Sequence, residues 1–387
     1  MLKNIDPVNE HKIVPLRIRQ AIIARECTLE SLAGQIGVSK QMVSKYQTGA
    51  SKPDIETIIK IANILDFPYE FFFKPTISES ALSSPVFFRS SIISKKTKDA
   101  MELKINFVRE IVLFIEQYIE LPEYNNSIEM HNPLSTDDPW YEIEKSTIEL
   151  RERWEISDKP INNLANLLLR KGFIITRSYN DNYKVDAYSK LHMKPYIILG
   201  AEKNCCVRSR FDLAHELGHS VMHFNIRKED RNKHHRIIEK QANRFASAFL
   251  MPASSFASDV YTVSLDNFVY LKRKWKVSIS AMVRRCYDLN IINEEQYTYL
   301  NKSISARGWK RNEPLDDELP FEKPVLFKQA FDLLLSKKIV NPEECVHKIA
   351  LKPAEIENIC FLDDGYFRLQ SKDSHPPQLR VISRNHK

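Results

Sequence analysis

The sequence predicts an α+β protein that is mostly helical, and three observations support this prediction. The chain of 387 residues holds only 8 glycines but 19 prolines, a balance typical of helices whose ends are marked by proline. Most of its segments repeat their apolar residues at helical spacing. Runs rich in β-branched residues occur near the middle of the chain, at 173–176, 184–188 and 196–199, and predict a small set of strands.

Composition along the chain predicts the domain boundaries. Residues 1–75 form a first, all-helical domain, and residues 76–135 form a serine- and proline-containing linker that leads into an amphipathic helix. Residues 136–258 combine the predicted strands with helices in a central α+β domain. Residues 259–370 form a helical C-terminal region, and residues 371–387 are expected to be a disordered tail.

The overall composition is that of an ordinary soluble protein, with 43% hydrophobic and 28% charged residues. The net charge of +7 permits contact with nucleic acid but does not require it. No stretch offers the ~18 apolar residues that cross a bilayer, so we expect no membrane partner. The six cysteines lack C-x-x-C spacing, and we expect a cytoplasmic protein with reduced thiols. Adjacent Cys205 and Cys206 are expected to be inert, with a redox or metal-sensing role as the alternative.

The first domain shows the pattern of a helix-turn-helix. Two short helical patterns, at 29–36 and 40–48, are separated by Gly37 and a capping Ser39. In such a motif the second helix lies in the major groove, and its N-terminal residues face the base edges. The residues expected to contact operator DNA are Ser39, Lys40, Gln41, Ser44 and Lys45, with Thr48 and Lys52 as phosphate contacts.

Residues 1–75 carry nearly balanced charges, so one copy is expected to bind DNA weakly. Specific binding then requires a homodimer that reads two half-sites of a palindromic operator. The alternative is a helix-turn-helix scaffold that serves protein contacts, for example with another repressor.

The most informative segment is 211–219, where two imidazoles lie four residues apart with a carboxylate directly after the first. Positions i and i+4 share one helix face, so His215 and His219 can reach one metal ion. Glu216 then lies beside the ion, where it can accept a proton from water as a general base. Glu239, on a second predicted helix, completes a His, His, Glu set with an open position, which is typical of catalytic zinc. The alternative is a helix with two incidental histidines.

A third histidine, His223, lies four residues beyond His219. A continuous helix would place His215 and His223 ~12 Å apart along its axis, too far for both to bind one ion. We therefore expect His223 to support a ligand or to pack in the core. His234 and His235 fall in the polar, basic stretch 227–236, which predicts a solvated loop.

Residues 208–252 resemble the ImmA/IrrE family of bacterial metallopeptidases. The resemblance rests on the segment 208–223, on Glu239-x-x-Ala-Asn-x-Phe-Ala, and on Leu-Met-Pro at 250–252. It implies a zincin-like domain that cleaves a cytoplasmic DNA-binding repressor. The implied zinc ligands are His215, His219 and Glu239, and the implied general base is Glu216.

The rest of the chain agrees with this resemblance. Residues 1–75 are similar to the XRE-type helix-turn-helix that members of the family often carry. The Phe-Phe-Arg-Ser-Ser stretch at 87–91 and the regions around Gly308-Trp309 and Glu313-Pro314 also resemble the longer, fused members.

Two classes of function follow from these motifs. The first is a zinc-dependent endopeptidase, joined to a DNA-binding domain, that cleaves a repressor and so controls gene expression in a stress response or a mobile element. The second is a DNA-binding transcriptional regulator whose zinc domain senses a signal or binds a partner without turnover. An antitoxin-like protein that neutralises a toxin is a variant of this second class.

Overall fold

The structure is a computed structural model that describes residues 12–77, 86–88, 93–125, 134, 136–178, 185–201 and 205–368. The predicted disordered tail at 371–387 and residues 89–91 lie outside the described residues. The fold is α+β and mostly helical, as predicted. The chain forms two compact units: one from described parts of Met1–Ser78, Ser94–Glu120 and Phe327–Lys387, the other from Glu79–Ile93 and Leu121–Leu326. The boundaries at 75, 135, 258 and 370 stay predictions.

From residue 12 to residue 77, the first unit forms four short helices and a 3₁₀ turn. They are Pro15–Ala24 (α1), Leu29–Ile36 (α2), Lys40–Thr48 (α3), Ile55–Ile64 (α4) and Tyr69–Phe72. The side chains of Thr28, Ser39 and Asp54 accept backbone N–H groups at the starts of α2, α3 and α4. Gly37 ends α2 with φ of 77°, a left-handed conformation that glycine adopts without steric cost. This glycine makes the tight turn between α2 and α3.

Four more helices belong to the described part of the first unit. They are Lys95–Ile115 (α5), Leu326–Ser336 (α14), Pro342–Ile349 (α15) and Pro353–Cys360 (α16). Arg17 of α1 is fully buried, and its guanidinium donates 2.7 and 3.1 Å hydrogen bonds to the two carboxylate oxygens of Glu110 on α5. Arg25 pairs with Glu355 of α16 at 2.9 Å. Charged contacts therefore join the helix-turn-helix to α5 and to the C-terminal helices.

The described residues of the second unit form a mixed sheet of four strands in the order β1-β3-β4-β2. The strands are Val86–Phe88 (β1), Ile174–Ser178 (β2), Ala187–Leu191 (β3) and Pro195–Gly200 (β4). β2 pairs with β4 in parallel, whereas β1 with β3 and β3 with β4 are antiparallel. The three predicted runs correspond to β2, β3 and β4 with shifted ends, and β1 was not predicted.

The described part of the second unit also contains helices, of which the second and third in chain order contact the sheet. They are Pro139–Arg153 (α6), Leu164–Arg170 (α7), Cys206–Met222 (α8), Lys228–Leu250 (α9), Ala253–Asp259 (α10), Leu265–Trp275 (α11), Ile279–Asp288 (α12) and Glu294–Ala306 (α13). α8 packs between the sheet and α9. A Cβ atom at Gly218 of α8 would lie 3.1 Å from the ring of Phe245 on α9, so the glycine permits a close approach of the two helices.

The expectation that 227–236 is a loop was wrong. These residues form the cap and first turns of α9, which has non-helical dihedrals at His234 (φ −107°, ψ 15°). This segment contains no apolar side chain of its own, and the buried Ile226 and Ile238 lie outside it. Its helical state therefore depends on continuation into the well-packed second half of α9. Among the described helices, none combines the length and apolar character needed to cross a bilayer.

Candidate functional site

Three side chains from α8 and α9 converge on one point inside the second unit. The Nε2 atoms of His215 and His219 lie 3.0 Å apart. Each faces one oxygen of Glu239, at 3.3 Å from His215 and 3.4 Å from His219. The ligand atoms of the three residues all lie within 4.8 Å of one another. We call His215, His219 and Glu239 the His-His-Glu cluster.

The helices explain this convergence. His215 and His219 are separated by one helical turn and therefore share a face of α8. Gly218 brings α9 close to that helix, so that a carboxylate from α9 reaches the two rings. Both histidines are fully buried, whereas the side chain of Glu239 is 22% exposed. The cluster is thus open to solvent on the Glu239 side.

The outward-facing ring nitrogens of the two histidines also have partners. Nδ1 of His215 lies 3.1 Å from Oδ1 of Asn243 on α9. Nδ1 of His219 lies 3.0 Å from Nδ1 of His223. The structure thus places His223 on the side of His219 that faces away from Glu239. α8 ends at Met222, and His223 is its C-cap residue.

The surroundings of Glu239 favour the ionised form of its carboxyl group. Burial raises the pKa of its carboxyl group, but hydrogen bonds from His215 and His219 outweigh burial and hold that pKa far below the ordinary value. Burial of the His223 ring lowers its pKa well below the ordinary value, and the neighbouring His219 lowers it further. The cluster therefore presents an ionised carboxylate together with a neutral neighbouring imidazole.

The set of donor atoms fits a zinc ion. Two imidazole nitrogens and one carboxylate oxygen are the usual three protein ligands of a catalytic zinc site, which keeps one further position open. In such sites the ring nitrogen that does not bind the metal typically donates to an oxygen acceptor. Oδ1 of Asn243 lies where it can be that acceptor for His215. Among the described residues, His215, His219 and Glu239 form the group that could hold a metal ion.

Glu216 lies on the same turn as His215, and its side chain points toward the sheet. It is fully buried, and its Oε2 accepts a hydrogen bond from the hydroxyl of Ser189 on β3. The backbone carbonyl of Glu216 also accepts a 3.0 Å hydrogen bond from Ser220. Glu216 is therefore held beside the His-His-Glu cluster and is separate from its donor set.

The edge strand β1 covers part of the site. Phe87 stacks on the ring of His219, with centroids 4.3 Å apart and planes 15° apart. The guanidinium of Arg231 on α9 lies 5.6 Å from the Phe87 ring. Phe87 is itself buried and packs with Ile226 and Ile238. This aromatic contact fixes the orientation of His219 from outside the helix pair.

The helix-turn-helix presents the predicted DNA contacts on α3 and the following turn. Gln41, Lys45 and Lys52 are exposed, and Ser44 is half-buried. Lys40 is exposed but pairs with Glu30 of α2 at 2.6 Å. The hydroxyl of Ser39 accepts the backbone N–H of Met42 as the cap of α3, and that of Thr48 donates to backbone carbonyls of its own helix. Ser39 and Thr48 therefore already use their hydroxyl groups within the fold.

Four residues of the site were not predicted to belong to it, although Asn243 and Phe87 lie in motifs that the sequence shows. Asn243 lies four residues after Glu239, so its place on the same face of α9 was predictable from helical spacing. Gln241 has no such spacing, and its 3.2 Å contact to His223 depends on where α8 ends. Ser189 and Phe87 reach the site through the pairing of β3 with β1, opposite each other in the register. No short-range pattern carries that information.

Comparison with known proteins identifies both modules. Residues 174–287 match the model of the IrrE N-terminal-like domain of peptidase family M78. Residues 18–72 match a helix-turn-helix model. The chain therefore joins an IrrE N-terminal-like domain to a helix-turn-helix domain. A relative described as an uncharacterized HTH-type transcriptional regulator YqaE, from Bacillus subtilis (strain 168), is 22% identical over 94 residues, which are 22% of this chain and 81% of the relative.

The matched ranges contain most of the groups described above. The IrrE N-terminal-like domain begins at β2, ends within α12, and includes the His-His-Glu cluster, Glu216 and Ser189. Strand β1 with Phe87 precedes the matched range. The helix-turn-helix match covers α2, α3 and α4.

Proposed function

We propose that the chain is a zinc-dependent endopeptidase that cleaves a DNA-binding repressor and is brought to DNA by its own helix-turn-helix domain. His215, His219 and Glu239 would hold the zinc ion, and Glu216 would be the general base. The products would be two repressor fragments, with the DNA-binding part separated from the part that forms the dimer. Transcription from the repressed promoter would then rise.

One observation carries this proposal: a fully buried carboxylate lies beside the cluster without belonging to it. A domain that only binds a metal for structure has no use for Glu216 at this place. Its partner Ser189 donates to Oε2 and so fixes the direction of the carboxylate, as a base that must face the attacking water requires.

The residues divide the chemistry of peptide hydrolysis among them. When bound, a zinc ion lowers the pKa of water and polarises the scissile carbonyl. Glu216 accepts the proton of the attacking water and delivers it to the leaving amine. Asn243 holds the ring of His215, and Ser189 holds the carboxylate of Glu216. Phe87 excludes water from the outer face of His219.

The helix-turn-helix gives the peptidase access to DNA-bound substrate. We propose that Gln41 reads a base edge, with Lys40, Ser44 and Lys45 beside it, and that Lys52 contacts phosphate. Ser39 contributes through the start of α3, where the backbone N–H groups favour a phosphate. A homodimer would read the two half-sites of an operator. Binding near a repressor would raise the local concentration of the substrate.

The experiment is a cleavage assay with defined substrates. The zinc-loaded chain is incubated with purified helix-turn-helix repressors encoded by the neighbouring genes, and fragments are identified by mass spectrometry. We expect one discrete cut in at least one repressor, loss of cleavage after removal of zinc with a chelator, and recovery when zinc is restored. Intact repressors throughout, at full zinc occupancy, would contradict the proposal.

A second candidate is a transcriptional regulator or antitoxin-like protein whose zinc domain binds a partner without turnover. The stacking of Phe87 on His219 favours it, because this contact covers one side of the cluster. It predicts stable partner binding, without fragments, in the same assay.

A further inference from the structure

His223 and Gln241 continue the line of contacts that begins at the His-His-Glu cluster. Nδ1 of His223 lies 3.0 Å from Nδ1 of His219, and Nε2 of His223 lies 3.2 Å from Oε1 of Gln241. The three side chains are between 0 and 1% exposed. Gln241 belongs to α9, the helix that also carries Glu239 and Asn243.

The positions of the protons follow from the donor and acceptor inventory. A histidine that binds a metal through Nε2 keeps its proton on Nδ1. Nδ1 of His219 is then a donor, so Nδ1 of His223 must accept, because two donors cannot share a hydrogen bond. The proton of neutral His223 is then on Nε2, where it is donated to Oε1 of Gln241. One arrangement of protons satisfies both contacts.

The other ligand has a shorter version of the same support. Nδ1 of His215 donates directly to Oδ1 of Asn243 when its Nε2 binds the metal. Both far nitrogens are thus held by amide oxygens from α9, one directly and one through His223. His219 lies one turn nearer than His215 to the end of α8, where His223 is the C-cap.

We infer that His223 and Gln241 fix the orientation and the proton position of the ligand His219, so that His223 is a positioning residue and not a fourth ligand. This inference rests on the zinc site of the proposed function. Such partners of metal ligands typically change metal affinity by ~10- to 100-fold. The role differs from packing, because it requires an acceptor atom at the position of Nδ1.

A matched pair of variants separates the two roles. Asparagine places Oδ1 at the position of the histidine Nδ1 atom and so keeps a hydrogen-bond acceptor there. Leucine has nearly the same shape as asparagine but carries no acceptor. Zinc affinity is measured by competition with a chromophoric chelator, on the full chain. We expect His223→Leu to weaken zinc binding by ~10- to 100-fold, and His223→Asn to recover most of the wild-type affinity. Gln241→Leu should weaken binding less than His223→Leu, because His223 stays in place.

The outcomes distinguish this inference from the proposed function. Equal losses in His223→Leu and His223→Asn would assign His223 to packing, and unchanged affinity in His223→Leu would also overturn the relay; either result leaves the zinc peptidase proposal intact. Failure of the wild-type chain to bind zinc would overturn both. As a direct measurement, long-range ¹H–¹⁵N correlation spectra of the zinc-loaded protein should show His219 protonated on Nδ1 and His223 protonated on Nε2. The opposite tautomer of His223 would contradict the relay.

Discussion

The hydroxyl of Ser189 donates a hydrogen bond to Oε2 of Glu216, which joins strand β3 to helix α8 at the side of the His-His-Glu cluster. Ser189 is 2% exposed and Glu216 is fully buried, so little water competes for this contact. A hydrogen bond to a buried carboxylate limits the directions in which that carboxylate can point. The contact therefore bears on whether Glu216 can act as a base.

Ser189→Ala removes this donor and is expected to lower the rate of repressor cleavage. A hydrogen bond to a charged group contributes ~1.5–3 kcal/mol, which corresponds to a rate ~10- to 100-fold lower. Zinc content should not change, because Ser189 is outside the cluster. The control is Ser189→Thr, which keeps the hydroxyl group. A full rate in Ser189→Ala, or a loss of zinc that parallels the loss of rate, would contradict this role.

Glu239→Gln tests the third ligand. The amide keeps the shape of the side chain but loses the negative charge. Zinc affinity should therefore fall by more than the ~10- to 100-fold that partners of the ligands contribute, and zinc occupancy should fall with it. Glu229→Gln, at an exposed position in the first turn of the same helix, is the matched control and should keep full occupancy. Metal analysis after dialysis gives the result. If Glu239→Gln kept its zinc while a His223 variant lost it, the ligand assignment would be wrong.

Gly218→Ala tests the close packing of α8 on α9. The new Cβ atom would lie 3.1–3.2 Å from Phe245 atoms; such overpacking costs ~1–3 kcal/mol of stability, which the ~1 kcal/mol helix preference of alanine offsets only in part. Thermal unfolding of the zinc-free chain should therefore show a lower midpoint for the second unit. Gly34→Ala is the control, because nothing lies within 4 Å of its new Cβ atom and alanine favours the helix by ~1 kcal/mol. Equal effects of the two substitutions would argue against the packing interpretation.

Variants of the helix-turn-helix separate base readout from phosphate contact. Gln41→Ala should cost ~1–3 kcal/mol at one base position only, whereas Lys52→Ala should weaken all sequences alike and reduce the salt dependence of binding by about one unit. The control is Lys302→Ala, an exposed lysine of α13 in the second unit. Binding is measured by fluorescence anisotropy on operator and scrambled DNA. Equal affinity of the wild-type chain for both DNAs would remove the basis for specific reading.

The helix-turn-helix, α8 and the second half of α9 were predictable because their information is local. Gly37 and the caps Thr28 and Ser39 mark helix ends within a few residues, and the spacing of His215 and His219 is one helical turn. To place Glu239 beside the two histidines required only the assumption that a second helix packs nearby.

The contacts that complete the structure join distant parts of the chain and left no local pattern. Phe87 and Ser189 are 102 positions apart in the sequence. They are brought together because the edge strand β1, which was not predicted, pairs with β3. Arg25 and Glu355, which tie the C-terminal helices to the helix-turn-helix, are separated by 330 positions. The first half of α9 is too polar to show helical periodicity, although it is continuous with a buried helix. These features depend on tertiary packing, which single-sequence patterns do not encode.

The most direct test of the account compares the zinc-loaded wild-type chain with Glu216→Gln on the same repressor. The substitution removes the base with almost no change in shape, and His215, His219 and Glu239 stay in place to hold the metal. We expect equal zinc content, equal binding to operator DNA, and a cleavage rate ~10²- to 10⁴-fold lower, measured as fragment formation by mass spectrometry. Fragment formation by Glu216→Gln at the wild-type rate would contradict the central claim.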